Sequence, residues 1–270
     1  MSVAIIITSI ILLCPFLFRA YNNTKKINLK TIRIPENNRE AEEISVLHLT
    51  DLHLENLSVT PEDLEKLVSG RKIDLIALTG DFLDRKRSIS KLMPYLEMLR
   101  NLKPEYGIYT VFGNHDYVLK GKHFMRLKQV LEDNGCKTLQ NEHVTLRVGG
   151  KTFNIIGIDD FSTKRSDIEK AYRKLPGGYN LILTHDPNIV LEMEHIPYDY
   201  LLSGHFYGGQ IYWPKPYHLV KMGKLARMKI IKGLHYYHGK PFYISEGLGQ
   251  TAVNIRIGSR PEITFHEIGL

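Results

Sequence analysis

Ser45-Val-Leu-His-Leu-Thr-Asp-Leu-His53, Leu75-Ile-Ala-Leu-Thr-Gly-Asp81 and Ile108-Tyr-Thr-Val-Phe-Gly-Asn-His-Asp116 share one plan. Each is a short apolar run that ends in a polar cluster: Asp51-Leu52-His53, Gly80-Asp81 and Gly113-Asn114-His115-Asp116. Apolar runs of this length, bounded by turn residues, read as buried strands. Between the first two, Thr60-Pro61 opens a helix, with Thr60 as N-cap, Pro61 at the first helical position, and Leu64, Leu67 and Val68 as its buried side. Between the second and third, Ile89, Leu92, Met93, Leu96 and Leu99 repeat at helical spacing. The pattern is βαβαβ, so the chain is α/β. Every polar cluster falls at the carboxyl end of a strand, where open α/β sheets hold their ligands.

The second half is richer in strands. Runs over 144–148, 153–158, 181–183, 200–202, 242–245, 255–257 and 263–266 are all predicted to be extended, which calls for two facing sheets with outer helices. Two more polar clusters end such runs: Thr184-His185-Asp186 and Ser203-Gly204-His205-Phe206-Tyr207. Carboxylate oxygen and imidazole nitrogen suit Mn, Fe or Zn, and a pair of such ions can orient a phosphate and stabilise both its attacking and leaving oxygens. The five clusters together therefore read as a dinuclear site for phosphoester hydrolysis.

In this order the clusters resemble the calcineurin-like metallophosphoesterase superfamily, from about Ile44 to the C-terminus. Ile155-Ile156-Gly157-Ile158-Asp159-Asp160, Leu183-Thr184-His185-Asp186-Pro187, Gly208-Gly209-Gln210, Ser245-Glu246-Gly247-Leu248-Gly249 and Arg260-Pro261-Glu262-Ile263 are similar to its bacterial membrane-associated branch, which includes UDP-2,3-diacylglucosamine pyrophosphohydrolase-like enzymes. The resemblance implies a four-layer αββα sandwich over residues 44–270. It also implies hydrolysis of a phosphoester or pyrophosphate bond, on a phosphorylated substrate that extends to lipid-linked ones, by a metal-activated hydroxide at a site of two divalent ions. Carried over by position, Asp51, His53 and Asp81 hold one ion, and Asp81, Asn114, His185 and His205 the other. His115 contacts the phosphate and protonates the departing oxygen, with Asp116 orienting it.

One position departs from the family pattern. Where its last motif is Gly-His-x-His, this chain has Tyr207, so the first ion lacks its expected fourth protein ligand. Two readings stand: a more weakly held ion, with water completing its ligands, or a tyrosinate ligand, which requires a strongly acidic ion such as ferric iron. Tyr207 is also the sequence support for a different class of function, a degenerate phosphoesterase fold acting as a membrane-surface binding module.

The rest of the chain bears on location and partners. At 270 residues and 43% hydrophobic content it can bury one large core, and its two cysteines, Cys14 and Cys136, do not form a disulfide framework. Val3 to Phe18 carries no charge, with Arg19, Lys25, Lys26, Lys30 and Arg33 after it. This predicts a transmembrane anchor over residues 1–21, a basic juxtamembrane linker over 22–43, and a single-pass protein of the cell membrane with its catalytic domain in the cytoplasm. A signal peptide is the competing reading. The net charge is +7, and Ile211 to Gly239 contains no acid but six cations: Lys215, Lys221, Lys224, Arg227, Lys229 and Lys232. Read as a helix, this segment puts Leu219, Met222, Ala226 and Ile230 on one face. With Trp213 and Tyr217 beside it, that arrangement suits membrane lipids as partners, or else a surface insertion packed on the domain. No nucleic-acid-binding motif is present, so nucleic acid is not an expected partner.

Overall fold

The computed structural model describes residues 3–35, 42–212, 215–216, 219 and 221–270, with side chains from residue 13 onward. A helix, α1 (Val3–Asn23), leads into strand β1 (Asn28–Ile34). The predicted βαβαβ unit follows as β2 (Glu43–Leu49), α2 (Pro61–Val68), β3 (Leu75–Thr79), α3 (Ile89–Asn101) and β4 (Ile108–Val111), continued by α4 (Lys122–Asp133) and β5 (Cys136–Thr138). Thr60 caps α2 through a reciprocal pair: its hydroxyl accepts from Asp63 N and its own N–H donates to Asp63 Oδ2. The second half contains β6 (Glu142–Val148), β7 (Lys151–Gly157), α5 (Ile168–Ala171), β8 (Tyr179–Leu183), β9 (Tyr200–Ser203), α6 (Lys224–Arg227), β10 (Gly233–Tyr237), β11 (Lys240–Ile244) and β12 (Glu262–Gly269).

The strands form two six-stranded sheets, ordered β1-β12-β2-β3-β4-β5 and β10-β11-β9-β8-β7-β6. Three apolar layers hold them. Val46, Leu75, Ala77 and Val111 of the first sheet pack against Phe153, Ile155, Leu181 and Leu202 of the second. Leu47, Ile76 and Leu78 face the other way, onto Leu64, Leu92, Leu96 and Leu127 of α2, α3 and α4. Ile156, Ile182 and Leu201 cover the outside of the second sheet beneath Ala171, Ile189 and Leu225. The order is helices, sheet, sheet, helices. Because β2 to β4 and β7 to β9 run parallel with both faces covered, they read as continuous apolar runs rather than alternating ones.

The N-terminal expectation is overturned. Among the described residues no helix is long and apolar enough to cross a membrane, so the transmembrane helix, the single-pass anchor and the cell-membrane placement fall. The uncharged run stops at Arg19, short of the roughly 20 apolar residues that a span requires. The helix end is instead tied to the domain: Ala20 is buried, its carbonyl accepts from Arg256 N (3.0 Å), and Asn23 Nδ2 donates to Arg256 O (3.0 Å). The expected linker over 22–43 is also partly sheet. β1 pairs in parallel with β12, and Lys30 bridges to buried Glu262 (2.5 Å) and Glu246 (3.4 Å).

Two further readings change. Residues 255–257 form no strand, only a bridge between Ile257 and Ile211. The acid-free segment is not one amphipathic helix: α6 covers four residues and β10 forms a hairpin with β11. Its apolar residues are used by the domain, with Leu219, Leu225 and Ile231 buried and Met222, Ala226 and Ile230 packed on the outer layer of the second sheet. Trp213 and Tyr217 lie outside the described residues.

His48 and His266, in adjacent strands, are fully buried with ring centroids 5.5 Å apart. Burial pushes His48 down to about 3 and His266 well below the ordinary histidine value, so both are held neutral. A folded pKa depressed in this way contributes stability that is complete above about 6.5 and lost as pH falls toward the folded value, at about 1.4 kcal/mol per pH unit for each histidine. Denaturation midpoints are therefore expected to drop from pH 7 to pH 5. A His48→Gln/His266→Gln double variant should show a shallower drop; an equal slope would place the acid sensitivity elsewhere.

Candidate metal centre

The loops after β2, β3, β4, β8 and β9 converge at one edge of the two sheets, and the backbone there is bent to bring side chains inward. Asp51, His53, Asp81, His205 and Tyr207 all have positive φ, at 52°, 42°, 56°, 77° and 52°. Left-handed backbone is costly for non-glycine residues and persists where the surroundings over-determine it, which happens most often at functional sites. Two glycines make room for the carboxylates: a Cβ on Gly113 would lie 2.1 Å from Asp81 Oδ1, and one on Gly204 would lie 2.2 Å from Asp51 Oδ2.

Two buried triads of ligand atoms result, Asp51 with His53 and Asp81, and Asp81 with His185 and His205. Asp81 belongs to both. His185 Nδ1–H donates to Thr79 O (2.7 Å), which fixes the tautomer and leaves Nε2 to face Asp81 Oδ2 (3.1 Å) and His205 Nδ1 (3.1 Å). Burial alone would lower His53. Hydrogen bonds to Asp81 and Asp84, with the charges of Asp81 and Asp51, outweigh it and hold His53 at about 10. The same concentration of buried negative charge favours divalent cations, whose binding to imidazole releases protons. Asn114 Oδ1 is buried without a hydrogen-bond partner, as a carbonyl ligand held ready for an ion would be. The residues present thus fit two metal ions.

His115 stands beside this centre with its Nδ1 2.7 Å from Asp84 Oδ1, while its backbone N–H donates to Asp81 Oδ1 (2.9 Å). The partner expected of His115 was Asp116, but it is Asp84 that the structure sets there. The Asp116 carboxylate accepts instead from the backbone N–H groups of Asp81 (2.8 Å), Phe82 (2.8 Å) and Gly113 (2.9 Å), fastening the two glycine loops together. Asp84 was absent from the sequence reading. The signal was the acid three residues after Asp81, which periodicity cannot distinguish from a solvated loop residue.

Tyr207 occupies the place that the sequence pattern gives to a histidine. Its Oη lies 2.7 Å from His53 Nε2 and 3.4 Å from Asp81 Oδ2. Burial, reinforced by the charges of Asp81, Asp51 and Asp84, pushes the phenol well above its ordinary value, so it keeps its proton unless a bound cation offsets those charges. Arg256, also unremarked in the sequence, is a fully buried guanidinium. It donates to the carbonyls of Tyr207 (3.3 Å), Glu246 (2.9 Å), Gly247 (3.0 Å), Gly249 (2.6 Å) and Arg260 (3.0 Å), holding the Tyr207 loop in place.

The calcineurin-like phosphoesterase family model matches residues 44–209, the segment that supplies all of these ligand atoms. The chain belongs to that family. It is 63% identical over 262 residues to the Bacillus subtilis (strain 168) metallophosphoesterase YkoQ, covering 96% of this chain and 97% of that one. It is 27% identical over 301 residues to a Chlamydia muridarum (strain MoPn / Nigg) UDP-2,3-diacylglucosamine pyrophosphatase, LpxG, covering 89% and 88%. With the Escherichia coli (strain K12) phosphodiesterase YaeI it shares 26% identity over 231 residues, covering 83% and 81%. As a calcineurin-like metallophosphoesterase, the protein is a hydrolase.

Proposed function

We propose that this protein hydrolyses a phosphoester or pyrophosphate bond of an organic phosphate using two divalent ions, one held by Asp51, His53 and Asp81 and the other by Asp81, Asn114, His185 and His205. The observation that carries this reading is the buried carboxylate of Asp81, common to two ligand triads. When bound, the ions supply Lewis-acid charge stabilisation and the activation of water. His115 binds the phosphate and gives a proton to the departing oxygen. Burial works against its charge, but the hydrogen bond to Asp84 and the charge of Asp81 outweigh that and hold it above its ordinary value, which favours the protonated form that a general acid needs. Asp84 keeps the imidazole oriented. The relatives named as UDP-2,3-diacylglucosamine pyrophosphatases support extending the substrate to a lipid-linked pyrophosphate.

The test is metal content of the purified protein beside turnover of p-nitrophenyl phosphate with added Mn. Two ions per chain and metal-dependent release of p-nitrophenol are expected. A protein that binds metal but turns over no phosphate ester would instead support the degenerate binding module.

Tyr207 gives a finer test of the same site. As a neutral phenol it is a poor ligand, so Tyr207→His is expected to tighten the ion at Asp51, His53 and Asp81 and to raise activity at limiting Mn. A visible charge-transfer band in iron-loaded wild type that Tyr207→Phe removes would instead identify Tyr207 as a tyrosinate ligand. Unchanged metal affinity in Tyr207→His would leave Tyr207 as a packing or substrate-facing residue.

A further inference from the structure

The metal centre opens sideways into a cavity of about 900 Å³, and Asn114 and His205 belong to its wall. Lys164, Lys221 and Lys224 also line this cavity, and all three are exposed. Among the described residues none of them pairs with a carboxylate.

The backbone that carries these lysines is built rather than loose. Lys164 sits at the tip of a turn after β7, with φ of 60°. Asp160 ties that turn by accepting from Thr163 N (2.8 Å) and Ser162 Oγ (2.8 Å). Lys221 and Lys224 flank a turn nailed to the domain by Asn188, whose amide donates to Met222 O (2.9 Å) and accepts from Leu225 N (3.1 Å). That turn needs glycine at 223, where φ is 103° and a Cβ would lie 2.4 Å from Asn188 Nδ2. Two carboxylates share the cavity. Asp186 accepts from the backbone N–H (2.9 Å) and amide (2.7 Å) of Asn188, which fix its position, and Glu192 is exposed, so the three lysines outnumber the two carboxylates. The cations of the acid-free segment are thus partly gathered beside the catalytic edge, where a positive cleft raises the local concentration of an anionic ligand.

We infer that this cavity is a second anion subsite, in which Lys164, Lys221 and Lys224 bind the non-scissile phosphate of a pyrophosphate-linked substrate. The inference rests on the hydrolase reading above and selects within it, favouring pyrophosphates over simple monoesters. The scissile phosphate takes the metal centre, and the second phosphate meets the lysines. Phe161 and Met222 in the same wall offer apolar contact to the group beyond.

The experiment compares kcat/KM for a pyrophosphate diester, ADP-ribose, with that for p-nitrophenyl phosphate, in wild type and in a Lys164→Ala/Lys221→Ala/Lys224→Ala variant whose melting temperature is checked. The variant is expected to lose at least about tenfold more on the diester than on the monoester, mainly through KM, and the wild-type KM for the diester should rise with salt. A triple Lys→Arg variant at these positions should keep most of the preference. An unchanged ratio between the two substrates, or wild-type turnover of the monoester without the diester, overturns the subsite and leaves the hydrolase reading standing. Failure of wild type on both substrates with added Mn removes the hydrolase reading and the subsite with it.

Discussion

Asp81→Ala is expected to abolish turnover and to take both metal ions from the protein together. The reason is geometric: its carboxylate is the one ligand common to the two buried triads. Loss of an outer partner of a metal ligand typically costs about 10–100-fold in affinity or activity, and loss of a shared ligand should exceed that. The fold should survive, because the alanine side chain fits within the space of aspartate. Gly80 and the Asp116 carboxylate hold the loop through its backbone. Metal stoichiometry beside turnover is the measurement. A variant that keeps two ions and a near-normal rate would refute the ligand assignment.

His115→Ala is expected to have the opposite signature, with both ions retained and the rate reduced by about 100-fold or more, as for loss of a general acid. The alkaline limb of the wild-type rate profile should follow His115: the protonated form is present below its raised pKa and lost as pH rises through it. Asp84→Asn removes the partner that raises it, so this variant should move the limb to lower pH with a smaller loss of rate. The carboxylate of Asp84 is itself held well below the ordinary range: burial would raise it, but hydrogen bonds from His115 and His53 outweigh that. Loss of metal in His115→Ala, or an unmoved limb in Asp84→Asn, would contradict these roles.

Arg256 and Asp84 show why some of the site could not be read from the chain. Arg256 has no periodicity to mark it, and its importance lies in five backbone carbonyls that converge only after β9, β11 and β12 are aligned. Likewise the Lys164 turn and the Lys221 to Lys224 turn lie far apart in sequence and meet at one cavity only because Asn188 fastens the second to the domain.

Much was nonetheless determined locally. Short apolar runs ending in polar clusters specify parallel strands with ligands at their carboxyl ends, since strand burial and turn chemistry are properties of a few consecutive residues. They sufficed for the α/β class, two sheets, the α2 cap, and the placement of the polar clusters at strand ends. Tertiary structure alone decided what depended on partners distant in sequence. It docked the end of α1 on Arg256, paired β1 with β12, and buried the apolar residues of the 211–239 segment against the second sheet. It also gave His115 to Asp84 rather than to its neighbour Asp116, because the turn that follows His115 directs the Asp116 carboxylate into the backbone of the Asp81 loop.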